Sequence, residues 1–123
     1  MSPLVSIIMP LYNKADFVEK AVQSVCAQTF LDWELIIIND GSTDTSVDVV
    51  TPFLQEHKEK ISLYSQQNAG VAVARNNGIE HAKGQYLCFL DADDWWNPNF
   101  LERIVFLSKQ YTDAGLFASN YVY

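Results

Sequence analysis

Three carboxylates fall within four positions at Asp91-Ala92-Asp93-Asp94, directly after the uncharged run Tyr86-Leu87-Cys88-Phe89-Leu90. That run predicts a strand buried on both faces. Asp91 and Asp93 are two residues apart, so in a chain still extended they project to the same side. Two anionic groups side by side at a strand's end repel each other unless a cation lies between them. A hard divalent ion such as Mg²⁺ or Mn²⁺ takes oxygen donors of this kind and, held by only two carboxylates, keeps positions free for a phosphate. The competing reading is a solvated acidic turn in which Asp94 or Asn97 caps the next helix. It accounts for one or two carboxylates, but not for an i, i+2 pair leaving a buried strand, and metal binding is the preferred reading. Trp95 and Trp96 read as packing at the helix entrance before they read as a sugar-stacking surface.

Other polar residues sit at the ends of apolar runs. Asp40 opens the turn Asp40-Gly41-Ser42-Thr43-Asp44. It can cap a helix starting near Thr43, or its acceptor-only carboxylate can take a hydrogen bond from a base N–H such as that of uracil or thymine. Asp44 fits capping or the first helical turn, where the helix dipole favours a negative charge. Arg75 lies on a predicted helix from Val71 to Ala82. It is either a surface salt-bridge residue or, with the first-turn amides of that helix, a diphosphate contact. His57 and His81 lie in polar helical surroundings without a second ligand at useful spacing and are expected to face solvent. GxxxxGK[ST], GxGxxG and GxSxG are all absent, which removes the P-loop, the usual dinucleotide fingerprint and the α/β-hydrolase nucleophile.

Strands are expected at Leu4 to Met9, ended by Pro10, at Trp33 to Asn39, at Ile61 to Ser65, at the run before Asp91, and from Gly115 to Ser119. Between them, helices are expected from Ala15 to Gln28, from about Thr43 to Lys60 with a break or kink at Pro52, from Val71 to Ala82, and from Pro98 to Lys109. Strand–helix alternation with short connections predicts an α/β fold: a mostly parallel sheet with helices on both faces. Ligands of such sheets bind beyond the carboxyl ends of the strands. The candidate loops are therefore Pro10–Asn13, Asp40–Asp44, Gln66–Gly70 and Asp91–Asp94.

At 123 residues the chain is one domain with enough apolar material for a core, 49% hydrophobic against 19% charged. A formal net charge of -7 argues against a nucleic-acid surface and against a polybasic membrane patch. Met1-Ser2-Pro3 leads into a short apolar run without a basic leader or cleavage site, so no signal peptide is expected. No apolar segment approaches the roughly 18 residues of a membrane span. Cys26 and Cys88 lie among apolar residues without CxxC spacing and read as buried free thiols of a reducing, cytoplasmic compartment.

Several stretches taken together resemble the N-terminal half of a family 2 glycosyltransferase with the Rossmann-like GT-A fold. They are Val5-Ser6-Ile7-Ile8-Met9-Pro10-Leu11-Tyr12-Asn13, Gln28-Thr29-Phe30, Glu34 through Asp44, Asn68-Ala69-Gly70, Ala74-Arg75-Asn76 with Gly78, and Gly84-Gln85-Tyr86 through Asp94. The resemblance runs over nearly the whole chain in order, and implies that residues 1–123 form the donor (nucleotide-sugar) half of a domain whose C-terminal part is absent here. It implies a nucleobase and ribose held by Pro10, Tyr12 and Asn13, a pyrimidine N–H read by Asp40, and a diphosphate region shaped by Arg75. Asp93 would be the direct Mn²⁺ or Mg²⁺ ligand, with Asp91 nearer the ribose and phosphates. The implied reaction moves a sugar from a UDP- or dTDP-linked donor to a saccharide or lipid-linked acceptor with inversion, as in polysaccharide biosynthesis. The general base is expected in the C-terminal half, so no catalytic residue is assigned here. A cytoplasmic location with peripheral contact at the inner membrane face is expected, and apolar surface left uncovered would favour a homodimer. A nucleotide-sugar-binding module without turnover is the alternative. A phosphotransferase phosphorylated on Asp91, as in haloacid-dehalogenase-like enzymes, ranks behind both, because Asp94-Trp95 stands where that motif continues with glycine.

Overall fold

Alternating apolar runs and amphipathic segments produce eight elements in a computed structural model that describes residues 2–110. They are β1 (Val5–Leu11), α1 (Val18–Cys26), β2 (Trp33–Asp40), α2 (Ser46–Glu56), β3 (Ile61–Gln66), α3 (Val71–His81), β4 (Tyr86–Phe89) and α4 (Phe100–Gln110). The four strands form one parallel sheet in the order β3-β2-β1-β4. The strand expected at Gly115–Ser119 lies outside the described residues.

The odd-numbered side chains of the central strands, among them Val5, Ile7, Met9, Leu35 and Ile37, pack beneath α1, α2 and α4 in the larger core. The opposite face is thinner. There Ile36 and Ile38 meet Ala74 of α3, with Ala82 beside them. Gly78 lets α3 sit close: a Cβ at that position would come within 2.5 Å of Ile8 Cγ2. Helices thus cover both faces, three on one side and one on the other.

Several expectations change. Pro10 does not end the first strand, which runs on to Leu11 with Pro10 in register with Ile38. The amide of Leu90 donates to the carbonyl of Ile8, so Ile8 and, two residues on, Pro10 turn their backbone polar groups towards β4. That strand has already ended at Phe89, and the missing N–H of proline removes no ladder bond. Pro52 neither breaks nor splits its helix. α2 is one piece of 11 residues that stops at Glu56, carried through the proline by packing of Val49, Val50, Phe53 and Leu54 on the core. The strand before Asp91 is not buried on both faces. β4 is an edge strand among the described residues, and Tyr86, Leu87 and Phe89 are half-buried. α4 begins at Phe100, two residues after Pro98.

Both cysteines are free. Burial pushes the Cys88 thiol up to about 12, and it stays protonated. Cys26, half-buried on α1, is also raised, by burial first and by Glu56 second, against an opposing effect of Lys60. A thiol reagent applied to the native protein at pH 8 is expected to label Cys26 well before Cys88. Equal rates would mean that β4 opens as readily as the surface of α1. His81 is half-buried rather than exposed. Its ring stacks on Tyr64 with centroids 3.7 Å apart, and its Nδ1 lies 2.9 Å from the carbonyl oxygen of Asn77.

Candidate functional site

The carboxyl ends of β1, β2, β3 and β4 deliver four loops to one edge of the sheet, where a parallel arrangement leaves its crevice. Two of them are laced together. Asn13, after β1, has φ 49°, in the left-handed region that asparagine tolerates better than most residues. Its Oδ1 accepts from the amides of Thr43 (2.8 Å) and Asp44 (3.3 Å), while its own amide donates to Ser42 Oγ. The Lys14 amide donates to Ser46 Oγ at 2.9 Å, and the Ala15 amide to Asp44 Oδ2 at 3.2 Å. Asp44 also accepts from the amide and hydroxyl of Ser46, the first residue of α2. Its carboxyl is held below the ordinary range chiefly by the Ser46 hydroxyl, with the Ser46 and Ala15 amides adding to the effect against the cost of burial. Asp44 therefore serves the entry of α2 and also fastens the β1 loop.

Asp40 does not cap α2. It ends β2, is 4% exposed, and spends both oxygens on the last residue of β3 and the loop after it. Oδ1 accepts from Gln66 Nε2 (2.9 Å) and the Ala69 amide (2.8 Å). Oδ2 accepts from Asn68 Nδ2 (3.2 Å) and the Gly70 amide (3.1 Å). Burial alone would raise its carboxyl, but the Gln66, Ala69 and Gly70 hydrogen bonds outweigh it and hold Asp40 below the usual carboxylate range. An anion thus already lies at the positive end of α3, whose N-terminal boundary is Gly70. Sequence spacing gave no hint of this, because the four donors lie about thirty residues downstream of their acceptor.

The acidic loop is not fully extended. The Asp94 amide donates to the Asp91 carbonyl at 3.0 Å, closing a turn. Leu90 and Ala92 still point into the core, while Asp91 and Asp93 stay 46% and 48% exposed. Asp94 Oδ1 accepts from the Trp95 amide. Asp91 meets Arg75 Nη2 at 3.2 Å, and Asp93 lies 3.7 Å from Lys14 Nζ. Arg75 Nε is buried and has no partner among the described residues. Tyr12, next to Asn13, leaves 44% of its surface open. Trp96 is buried and stacks on Phe100, whereas Trp95 is half-exposed under Lys20 Nζ, 3.6 Å from the ring centroid.

Tyr12, Asn13, Lys14, Asp40, Arg75, Asp91 and Asp93 therefore all belong to the strand-end loops or to the helix beside them. Lys14 went unnoticed in the sequence; its only signal there is its place directly after Tyr12-Asn13. Among the described residues no group of three or more His, Cys, Asp or Glu side chains is assembled to hold a metal ion. Asp91 and Asp93, half-exposed hard oxygen donors, could supply one or two ligands to Mg²⁺ or Mn²⁺ and leave the rest to phosphate and water, the usual arrangement for these ions.

Residues 6–123 match the family model described as glycosyl transferase family 2. The chain is 43% identical over 105 residues to the uncharacterized glycosyltransferase YibD of Escherichia coli, covering 85% of this chain and 30% of that protein. It is 33% identical over 121 residues to the glycosyltransferase GlyG of Streptococcus pneumoniae, covering 98% of this chain and 40% of GlyG. The chain thus spans well under half the length of these relatives. Among solved structures, the fold superimposes on S. aureus TarS 1–349 in complex with UDP-GlcNAc with a TM-score of 0.83 at 24% identity, over 89% of this chain and 32% of TarS 1–349. It also superimposes on the mannosyltransferase PcManGT of Pyrobaculum calidifontis, in complex with GDP-Man and Mn²⁺, with a TM-score of 0.78 at 26% identity, over 85% of this chain and 32% of PcManGT.

Proposed function

The chain belongs to glycosyl transferase family 2, and from that premise we propose that it forms the donor-binding part of a metal-dependent glycosyltransferase. Its donor is a nucleoside-diphosphate sugar, UDP- or dTDP-linked, and its acceptor a saccharide or a lipid-linked saccharide. The observation that carries this reading is the convergence of two half-exposed carboxylates, Asp91 and Asp93, with two cations, Lys14 and Arg75, at one end of a parallel sheet. A diphosphate needs cations, a divalent ion needs carboxylates, and the two sets stand side by side. The Mn²⁺ and GDP-Man held by PcManGT support a divalent ion with a nucleoside-diphosphate donor.

In this reading Tyr12 packs on the base, Pro10 and Asn13 shape the base and ribose region, and Asp93 with Asp91 holds Mn²⁺ or Mg²⁺. A divalent ion there supplies positive charge against the leaving diphosphate. Arg75, already directed at Asp91, is close enough to share a phosphate oxygen. Asp40 reads a pyrimidine imide N–H only if one of its four present donors gives way. The Asn68 amide, at 3.2 Å the longest of the four, is the one to yield. Transfer proceeds with inversion: the acceptor oxygen bonds to the anomeric carbon as the bond to the diphosphate breaks. The acceptor proton passes to a general base, a role that we assign to none of the described residues. A nucleotide-sugar-binding module without turnover is the second reading.

Calorimetric titration with UDP, dTDP and GDP, each with and without Mn²⁺, tests the reading. One pyrimidine diphosphate is expected to bind in the presence of Mn²⁺, and Asp93→Ala to weaken that binding at least about tenfold. Preference for GDP would overturn the donor class, and binding indifferent to Mn²⁺ would overturn the metal.

A further inference from the structure

Lys14 is anchored at its backbone and carries an exposed ion pair at its tip. Its amide is tied to Ser46 Oγ, and the residues on either side are tied to Thr43 and Asp44, so the Cα has little room to move. The ammonium, on a four-carbon stem, reaches across to Asp93 at 3.7 Å, with the two side chains 40% and 48% exposed. Beside it Arg75 engages Asp91 at 3.2 Å. Two carboxylates are thereby matched by two cations, and the pair has no net charge without any ion.

We propose that Lys14 stands in for the divalent ion at Asp93 until a diphosphate arrives and then transfers its contact to the diphosphate, making ion and nucleotide bind as a couple. The inference rests on the donor-site reading above and adds Lys14 to it as the residue that sets the order. A divalent ion entering alone meets carboxylates already neutralised and two cations within reach of the same oxygens, so it gains little and is repelled. When a diphosphate enters with it, the phosphate oxygens accept the ammonium and the guanidinium, and the carboxylates are released to the ion. An exposed ion pair of this kind is weak, as a contact that must be exchanged has to be. Each ligand then raises the affinity for the other by the same factor.

A merely structural lysine and an exchanging one give different signatures. Free Mn²⁺ can be counted by its electron spin resonance signal while the full chain is titrated, with and without saturating UDP. Lys14→Met is expected to bind Mn²⁺ alone about threefold to fivefold more tightly, since an exposed competing pair is removed. The same variant should bind UDP in the presence of Mn²⁺ several-fold more weakly, because the diphosphate loses a cation. Lys14→Arg should stay near the wild type in both. Weakening of both affinities, or a change in neither while the wild type binds UDP with Mn²⁺, overturns the role of Lys14 and leaves the donor site standing. A wild-type chain that holds no Mn²⁺ even with UDP overturns the donor site, and this inference with it.

Discussion

Asp40→Ala is expected to unfold with a loss of about 3 kcal/mol, which for a domain of this size lowers the melting temperature by roughly 15 °C. The carboxylate is 4% exposed and accepts from Gln66, Asn68, Ala69 and Gly70. Removing it strands two backbone amides and two side-chain amides around a small void. The side-chain amides can turn to water, and each residue keeps another partner: Gln66 Oε1 accepts from Asn77 Nδ2, and the Asn68 amide donates to the Asp40 carbonyl. The backbone amides cannot turn without moving the start of α3. Asp40→Asn should lose less, because one amide oxygen keeps two of the four donors. Acid unfolding separates charge from shape. The carboxyl is held below its unfolded value, near 3.9, so its stabilisation is complete above that value and disappears as pH falls through the lower folded one. The gap between wild type and Asp40→Asn should therefore be constant above about pH 5 and close in strong acid. A gap that persists unchanged at pH 2 would mean that shape, not charge, holds the loop.

Gly84→Ala is expected to have an effect of similar size, about 3 kcal/mol, at the opposite end of the sheet. A Cβ on residue 84 would lie 2.7 Å from both the backbone nitrogen and Oγ of Ser6, and 2.9 Å from the Val5 carbonyl carbon. These atoms belong to β1, a strand with neighbours on both sides, and cannot retreat. The Gly84 amide also donates to Ser6 Oγ at 2.7 Å, Ser6 donates to Glu34, and Glu34 accepts from the Lys83 amide. That chain of bonds fixes where β4 begins, and the Tyr86 amide then pairs with the Leu4 carbonyl. A methyl group that pushes residues 83–85 outward displaces the whole strand, whose far end carries Asp91 and Asp93. The variant should therefore melt lower and also bind Mn²⁺ with UDP less well, although residue 84 lies at the other end of β4 from the acidic pair. Wild-type melting would show that β4 can shift as a unit, and the clash argument would fail.

The order of strands and helices was legible because it depends on periodicity, and apolar runs such as Ile36-Ile37-Ile38 leave little choice for a buried parallel strand. The loops that form the candidate site were legible for the same reason, since strand ends fix where the chain must turn. Side-chain partnerships were not. Asp40 could be read as a cap or a base reader, and in the structure it is bound to a loop that follows a different strand. Pro10 and Pro52 were read through their local effect, and tertiary context decided otherwise. One lies where its strand has no neighbour left on the β4 side, and the other is held by core packing. Lys14 drew no notice because only the β4 turn, some eighty residues later in the chain, brings Asp93 to it.

The unequal cladding of the sheet has a dynamic consequence. On one side three helices share a continuous apolar core, and opening any of them exposes a large buried area. On the other, α3 rests on the sheet through Ala74 and the bare backbone of Gly78, with Val71, Val73 and Ile79 facing water. Its detachment exposes less apolar surface than that of the other three, so more of its hold on the sheet rests on polar contacts, the bonds of Asp40 to the Ala69 and Gly70 amides among them. Arg75 and the loop held by Asp40 move with that helix. A ligand that fastened Arg75 would therefore add a polar tie to the one helix with a small apolar footing, and leave the three-helix side as it was.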